Sequence, residues 1–363
     1  MLNYIIWNFN PDLFTIPGTD YAPRWYGVLF ALGFILSQQV MLYIFRKEGR
    51  PEKDVDKLTT YMVLAVIVGA RLGHCLFYDP AYFLANPLEI LMVWKGGLAS
   101  HGGAIGILVA LYLFGRNLGY KFLWILDRIV IVVALCGMLI RTGNLFNSEM
   151  EGVETNSNFG LVYARGTHDV LNYDESIIDE IKFVKGGQME SQSPGYVPIT
   201  AEIHYKRGYE TTLTDKRTLE SRVRANMIQY SEASEHVDIG SPPLKYTIDN
   251  TDGHQVARIY AIGKVRHAAQ LYEAGYCLLL MVGLFFLWKN KRESLPRGFN
   301  FALFMIVLWS LRFVDEFFKM NQEAFEEDLT LNMGQILSIP LTLAGIVLMV
   351  LIFRSEKKMS DFS

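Results

Sequence analysis

Hydrophobic residues along this chain come in long blocks, not in the short alternating runs of a soluble protein. Seven blocks, at 25–45, 58–78, 98–114, 122–140, 271–288, 299–318 and 333–353, reach or approach the ~20 residues that a helix needs to cross a bilayer. Between the fourth and fifth the pattern changes. Over 150–264 the chain is polar, and Val197, Ile199, Ala201, Ile203 and Tyr205 alternate with polar neighbours, a strand signal. Residues 244–262 read the same way with a turn at 250–253, and 218–235 predicts a helix. The expected fold is an all-α polytopic membrane protein with seven transmembrane helices, interrupted by an extracytoplasmic α+β or mostly β module. The domains are then 1–149 (four spans), 150–264 (the insert) and 265–363 (three spans). The lead, 1–23, carries aromatics with Pro11 and Pro17 and is expected along the membrane interface. It shows no basic region followed by a small-residue cleavage site, so no removable signal peptide is expected.

Charge fixes an orientation. Arg46, Lys47, Arg50, Lys53 and Lys57 follow the first block, Arg116 and Lys121 the third, Lys289, Lys291, Arg292 and Arg297 the fifth, and Arg354, Lys357 and Lys358 the seventh. All fall on one side of a seven-span topology. Loops on the other side are poor in Lys and Arg or acidic, as with Glu323, Glu326, Glu327 and Asp328. Basic loops face the cytoplasm. The N-terminus and insert are therefore expected outside and the C-terminus in the cytoplasm.

Composition narrows the chemistry. The 363 residues are 51% hydrophobic, and a net charge of −3 gives no reason to expect nucleic acid. Cys75, Cys136 and Cys277 lie inside apolar blocks, so neither a disulfide framework nor a metal site is expected, and no cofactor is implied. No internal repeat is visible, which gives an inverted-repeat transporter little support.

With the topology set, the polar residues of the blocks share one depth, the outer half. They are Tyr26, Arg71, His101, Arg141, Asn144, Glu149, Arg266, His267, Gln270, Tyr272, Glu273, Arg312 and Glu316. Each has a structural reading by itself. Arg141 can snorkel to the headgroups, Arg71 can be an anchor or pair partner, Arg312 and Glu316 one helical turn apart can be an ion pair, and His101 can be a packing residue. Gly102 and Gly106 have the spacing of simple helix packing. The common depth points instead to an anion, because the guanidinium fork binds phosphate oxygens in pairs. Arg141 and Asn144, three apart, share a helix face. Glycines 96, 97, 102, 103 and 106 let a ligand or neighbouring backbone come close.

Three segments carry a resemblance. Gly96-Gly97-Leu98-Ala99-Ser100-His101-Gly102-Gly103, Arg141-Thr142-Gly143-Asn144-Leu145-Phe146-Asn147-Ser148-Glu149 and Arg266-His267-Ala268-Ala269-Gln270-Leu271-Tyr272-Glu273 resemble motifs of the phosphatidylglycerol–prolipoprotein diacylglyceryl transferase family. Arg24-Trp25-Tyr26-Gly27, Gly69-Ala70-Arg71-Leu72-Gly73 and Met333-Gly334-Gln335-Ile336-Leu337-Ser338 also fit, in the family's order. Ile140 and Ser148 stand where the signature has glycine, Ala268-Ala269 replaces Pro-Ser/Thr, and the insert is larger than is typical.

The resemblance implies transfer of a diacylglyceryl group from phosphatidylglycerol to the lipobox cysteine of a prolipoprotein signal peptide, within the lipid bilayer. It implies roles as well. Arg141, then Arg266, binds the phosphodiester and stabilises its developing charge. His101 is the candidate base for the thiol, with Glu149 next or orienting the arginines. Asn144, Tyr26 and Tyr272 hydrogen-bond the headgroup or ester region, and Gly102, Gly103, Arg312 and Glu316 complete the substrate site. The alternative is an outward-facing phospholipid or anion translocator or binding protein. That would need a polar route inward, yet the inner halves are apolar except for Gln38, Gln39, Asp127 and Arg128.

Overall fold

A computed structural model describes residues 3–19, 22–97, 99–189, 193–251, 254–292, 294–321, 326 and 329–360. Leu98, the turn residues Asp252 and Gly253, and the acidic Glu323, Glu327 and Asp328 lie outside the described residues. The elements in order are β1 (Tyr4–Trp7), α1 (Trp25–Lys47), α2 (Lys53–Phe77), α3 (Ser100–Leu118) and α4 (Phe122–Phe146). Then come β2 (Gly160–Tyr163), β3 (Ile178–Lys185), β4 (Tyr196–Tyr205), β5 (Val237–Asp238), β6 (Tyr246–Thr251) and β7 (His254–Lys264). The chain closes with α5 (Ala269–Lys291), α6 (Phe299–Asp315) and α7 (Met333–Ser360). All seven apolar blocks become helices. Five of them, α1, α2, α4, α5 and the Met333–Ser355 part of α7, are long and apolar enough to cross a membrane. The chain is thus a multi-pass membrane protein. The other two are α3, whose first turn holds Ser100 and His101, and α6, which has 17 residues.

The chain forms two compact units. One comprises 29–140, 274–313 and 333–363. Its core joins Met41, Ile44 and Phe45 of α1, Leu58 of α2, Leu111 and Phe114 of α3, Ile125 to Ala134 of α4, and Leu284 and Trp288 of α5. Lipid is as apolar as these side chains, so close backbone approach matters more than burial itself. Gly69 and Gly106 show it. A Cβ on Gly69 would lie 2.6 Å from the Gly102 carbonyl oxygen, and one on Gly106 would lie 2.5 Å from that of Ala65. Asp127 accepts the backbone N–H groups of Gly298 (2.6 Å) and Phe301 (3.0 Å), capping the start of α6. Arg128 pairs with Glu48 at 2.8 Å, and Glu48 also accepts the Trp288 indole. These polar groups are occupied as fixed structural partners.

The other unit comprises 1–28, 141–273 and 314–332. Its sheet runs β3-β4-β7, with β5 and β6 both on the far edge of β7, all antiparallel. The predicted alternation holds. Val197, Ile199, Ala201, Ile203 and Tyr205 are buried with Ala257, Ile259 and Ala261, under Leu219, Val223 and Met227, while Glu202 and Arg258 pair at 2.8 Å on the opposite face. The predicted 218–235 helix is present as three successive helical turns, at Thr218–Val223, Arg224–Gln229 and Ser231–Ser234. The lead departs from expectation, since Tyr4–Trp7 pairs in parallel with Gly160–Tyr163. A run of aromatic and β-branched residues suits a pleated strand better than an isolated interfacial segment.

Candidate active site

The last turn of α4 and the first of α5 both enter the unit that contains the insert. On α4, Arg141 donates from Nη1 to Asn144 Oδ1 (3.1 Å), as their shared face predicted. Its Nε lies 2.9 Å from Glu273 Oε2, on the first turn of α5. Asn144 Nδ2 donates to Glu149 Oε2 (3.2 Å) and Asn147 Nδ2 to Glu149 Oε1 (3.1 Å). Gln270 Nε2 donates to the Glu149 carbonyl at 2.6 Å, and the buried Tyr163 hydroxyl donates to Gln270 Oε1 at 2.9 Å. Glu149 therefore accepts through both carboxylate oxygens and orients the amide that orients Arg141. Gly143 brings Tyr26 into the group, because a Cβ there would lie 2.9 Å from the tyrosine ring.

Two more carboxylates belong to the network. Lys319, buried with a side chain only 2% exposed, lies 2.7 Å from Glu273 Oε2 and 3.1 Å from both Asp315 and Glu316. Asn332 Nδ2 approaches Glu316 Oε2 at 3.3 Å. Tyr272 bonds His267 Nδ1 at 3.0 Å. Tyr26, Arg141, Asn144, Glu149, Arg266, Tyr272 and Glu316 all belong to this unit.

His101, Gly102, Gly103 and Arg312 belong to the other. His101 is exposed at the start of α3, stacked on Tyr78 (5.9 Å) and edge-on to Phe77 (5.2 Å). Gly102 packs against Gly69 and Gly73 of α2, so helix contact accounts for its missing side chain. Arg71 is 4% exposed. It donates to the carbonyls of Glu89 (2.5 Å), Ile90 (3.0 Å), Gly96 (2.5 Å) and Gly97 (3.3 Å), fixing the turn that leads to His101.

The family model for prolipoprotein diacylglyceryl transferases matches residues 11–351. The chain belongs to this family. It is 34% identical to the phosphatidylglycerol–prolipoprotein diacylglyceryl transferase of Tolumonas auensis over 96% of this chain and 97% of that one. It is 31% identical to those of Chloroherpeton thalassium (98% and 96% covered) and Porphyromonas gingivalis (96% and 94%).

Departures from the diacylglyceryl transferase signature now have physical content. Ser148 has φ +53°, in the left-handed region that glycine adopts without cost. Arg266 donates to the carbonyls of Glu235 (2.9 Å) and Gly152 (3.4 Å), and its Nε lies 3.9 Å from Glu151 Oε2. Glu151 also lies 3.4 Å from His236 Nδ1. Burial pushes the Glu151 carboxyl up to about 8 although Arg266 opposes the rise. Burial, helped by Arg266 and Lys264, pushes His236 down to about 3. Both groups are thus driven toward their neutral forms. Glu273 and Lys319 had no assigned role in the sequence reading of this diacylglyceryl transferase. The available signal was the spacing of Asp315 and Glu316 four and three residues before Lys319, which on a helix brings opposite charges together.

Proposed function

We propose that this chain transfers the diacylglyceryl group of phosphatidylglycerol to the lipobox cysteine thiol of a secreted prolipoprotein, the first step of lipoprotein maturation. The thiolate attacks the terminal glyceryl carbon, a C–S bond forms, and the C–O bond to phosphate breaks. Glycerol phosphate leaves with the electron pair. The observation that carries the reading is the Arg141 guanidinium, held from one side by Glu273 and from another by Asn144, in a chain of this family.

A leaving phosphate gains charge as the C–O bond breaks, and fixed cationic donors stabilise it. Arg141 is the primary clamp and Arg266 the second. Asn144, Tyr26 and Tyr272 meet the headgroup or ester region, with Gly102, Gly103, Arg312 and Glu316 bordering the site. His101 takes the thiol proton. Glu149, whose two oxygens accept amides, orients Arg141 through Asn144, or stands next to His101 as the base. Holding two membrane-tethered substrates together removes much of the entropic cost of a bimolecular step. The chain spans a bacterial inner membrane seven times, with the N-terminus and the 150–264 module outside and the C-terminus in the cytoplasm.

The test is transfer from labelled phosphatidylglycerol to a lipobox peptide in detergent. Thioether formation with glycerol phosphate release supports the reading, and lipid movement without release overturns it. Arg141→Lys keeps the charge but loses the fork, so full activity there removes the clamp. An unchanged pH profile in His101→Asn and His101→Gln removes the base.

A further inference from the structure

We propose that Lys319 is a positioning residue for diacylglyceryl transfer, acting on Arg141 through Glu273. The inference rests on the reading of Arg141 as the phosphate clamp.

Lys319 follows the short turn Glu316–Phe318, and its backbone bridges to Gly152. Neighbouring bonds secure that register: Val153 N donates to the Phe318 carbonyl (2.9 Å) and Met320 N to the Glu151 carbonyl (3.1 Å). The Lys319 backbone is thus held by a non-local bridge to residues 151–153. The ammonium reaches the same oxygen, Glu273 Oε2, that Arg141 Nε reaches, at 2.7 Å against 2.9 Å. It also holds Asp315 and Glu316.

Removing the ammonium would take away the cation that Glu273, Asp315 and Glu316 share within 3.1 Å. Like charges in a buried site are relieved by swinging apart or by taking up a proton. Either response weakens the hold of Glu273 on Arg141, since a swung carboxylate loses the contact and a protonated one loses its charge. The ammonium therefore fixes the arginine's direction through Glu273, although it touches no reacting atom.

The experiment is a double-mutant cycle on full-length protein in detergent. Lys319→Met is expected to lower kcat/KM by about tenfold or more, and Lys319→Arg to return it to within about threefold of wild type. In an Arg141→Lys background the same Lys319→Met change is expected to cost less than about threefold, because groups acting through one another do not add. If Lys319→Met does not fold, Lys319→Gln takes its place. Affinity for spin-labelled phosphatidylglycerol in mixed micelles, measured on the same four proteins, replaces turnover for any variant too slow to assay. A buried lysine serving only the fold gives losses that multiply in the double variant, and that result overturns the inference. So does wild-type activity in Lys319→Met. Full activity in Arg141→Lys alone overturns the clamp reading itself, which distinguishes the two failures.

Discussion

Two arginines, one in each compact unit, are built into their surroundings in opposite ways. Arg71 ends on four main-chain carbonyls, those of Glu89, Ile90, Gly96 and Gly97. Arg141 ends on side chains, a carboxylate and an amide, and its side chain keeps 16% exposure. Carbonyls are neutral and belong to the fold, so a guanidinium saturated by them serves as a brace. A guanidinium held by one shared carboxylate at its edge keeps a charged face to offer. Arg266 is intermediate: two carbonyls take its terminal nitrogens while Nε lies near Glu151. Sequence alone ranks these arginines by motif and depth, but their partners separate a brace from a clamp.

Replacing each with alanine should split the two effects. Arg141→Ala is expected to lower transfer about 10²–10³-fold, the usual loss when a donor to developing charge is removed, at a modest cost in thermal midpoint. Arg71→Ala strips donors from four carbonyls, and ~3 kcal/mol of destabilisation follows if even two stay dry. Its midpoint should fall first, with activity following the folded fraction. Midpoints in detergent beside initial rates decide the matter. A stable but inactive Arg71→Ala would end the distinction.

Much of this arrangement was legible in the sequence, and the missing part has one cause. The blocks became helices, the alternation of 197–205 became β4, and the three-residue spacing of Arg141 and Asn144 became a hydrogen bond. All of these are local periodicities. The pairing of Tyr4–Trp7 with Gly160–Tyr163 and the meeting of Lys319 with Glu273 join residues far apart in the chain. No periodicity encodes such contacts. Arg71 was legible as an anchor or pair partner, but its particular partners were not, because they are backbone atoms that any residue supplies.

Gly152 tests the scaffold on the clamp side. It is threaded between His267 and Phe318, where a Cβ would lie 2.5 Å from the His267 carbonyl oxygen and 2.7 Å from that of Phe318. Backbone cannot yield as a side-chain tip can, so Gly152→Ala should cost ~3 kcal/mol, the upper range for overpacking. It should also displace Lys319, whose backbone bridges to Gly152. An unchanged midpoint would show that the segments around Gly152, His267 and Phe318 are looser than this packing requires.

A pH-dependent effect comes from Glu151. In the folded chain its carboxyl keeps a proton to about pH 8, while an unfolded glutamate releases it near 4.5. Between those values the unfolded state binds fewer protons, so this group's contribution to stability falls as pH rises and levels off above about 8. Glu151→Gln removes the dependence. Its midpoint relative to wild type should climb across that window, no more steeply than ~1.4 kcal/mol per pH unit, and then flatten. His236, pushed the other way, stays present in both proteins and so drops out of the difference. A flat difference from pH 4.5 to 8 would return Glu151 to the charged form in the folded chain.

The smallest effect expected is a gain. Ser148 holds φ +53°, which costs a side-chain-bearing residue ~1–2 kcal/mol, and its buried Oγ has no hydrogen-bond partner among the described residues. Glycine relieves both costs but gives back ~0.5–1 kcal/mol through the freedom of the unfolded chain. Ser148→Gly should therefore stabilise by ~1 kcal/mol, a rise of ~2 °C in midpoint for a chain of this size. The change also bears on the clamp. Ser148 immediately precedes Glu149, whose backbone N–H donates to the Asn144 carbonyl at 2.9 Å. If that bond and the two amides at its carboxylate suffice to hold Glu149, transfer stays level as the midpoint rises. A drop in turnover at a higher midpoint would mean that the stiffness of a strained serine, rather than the amide contacts alone, keeps Glu149 aimed and Arg141 with it.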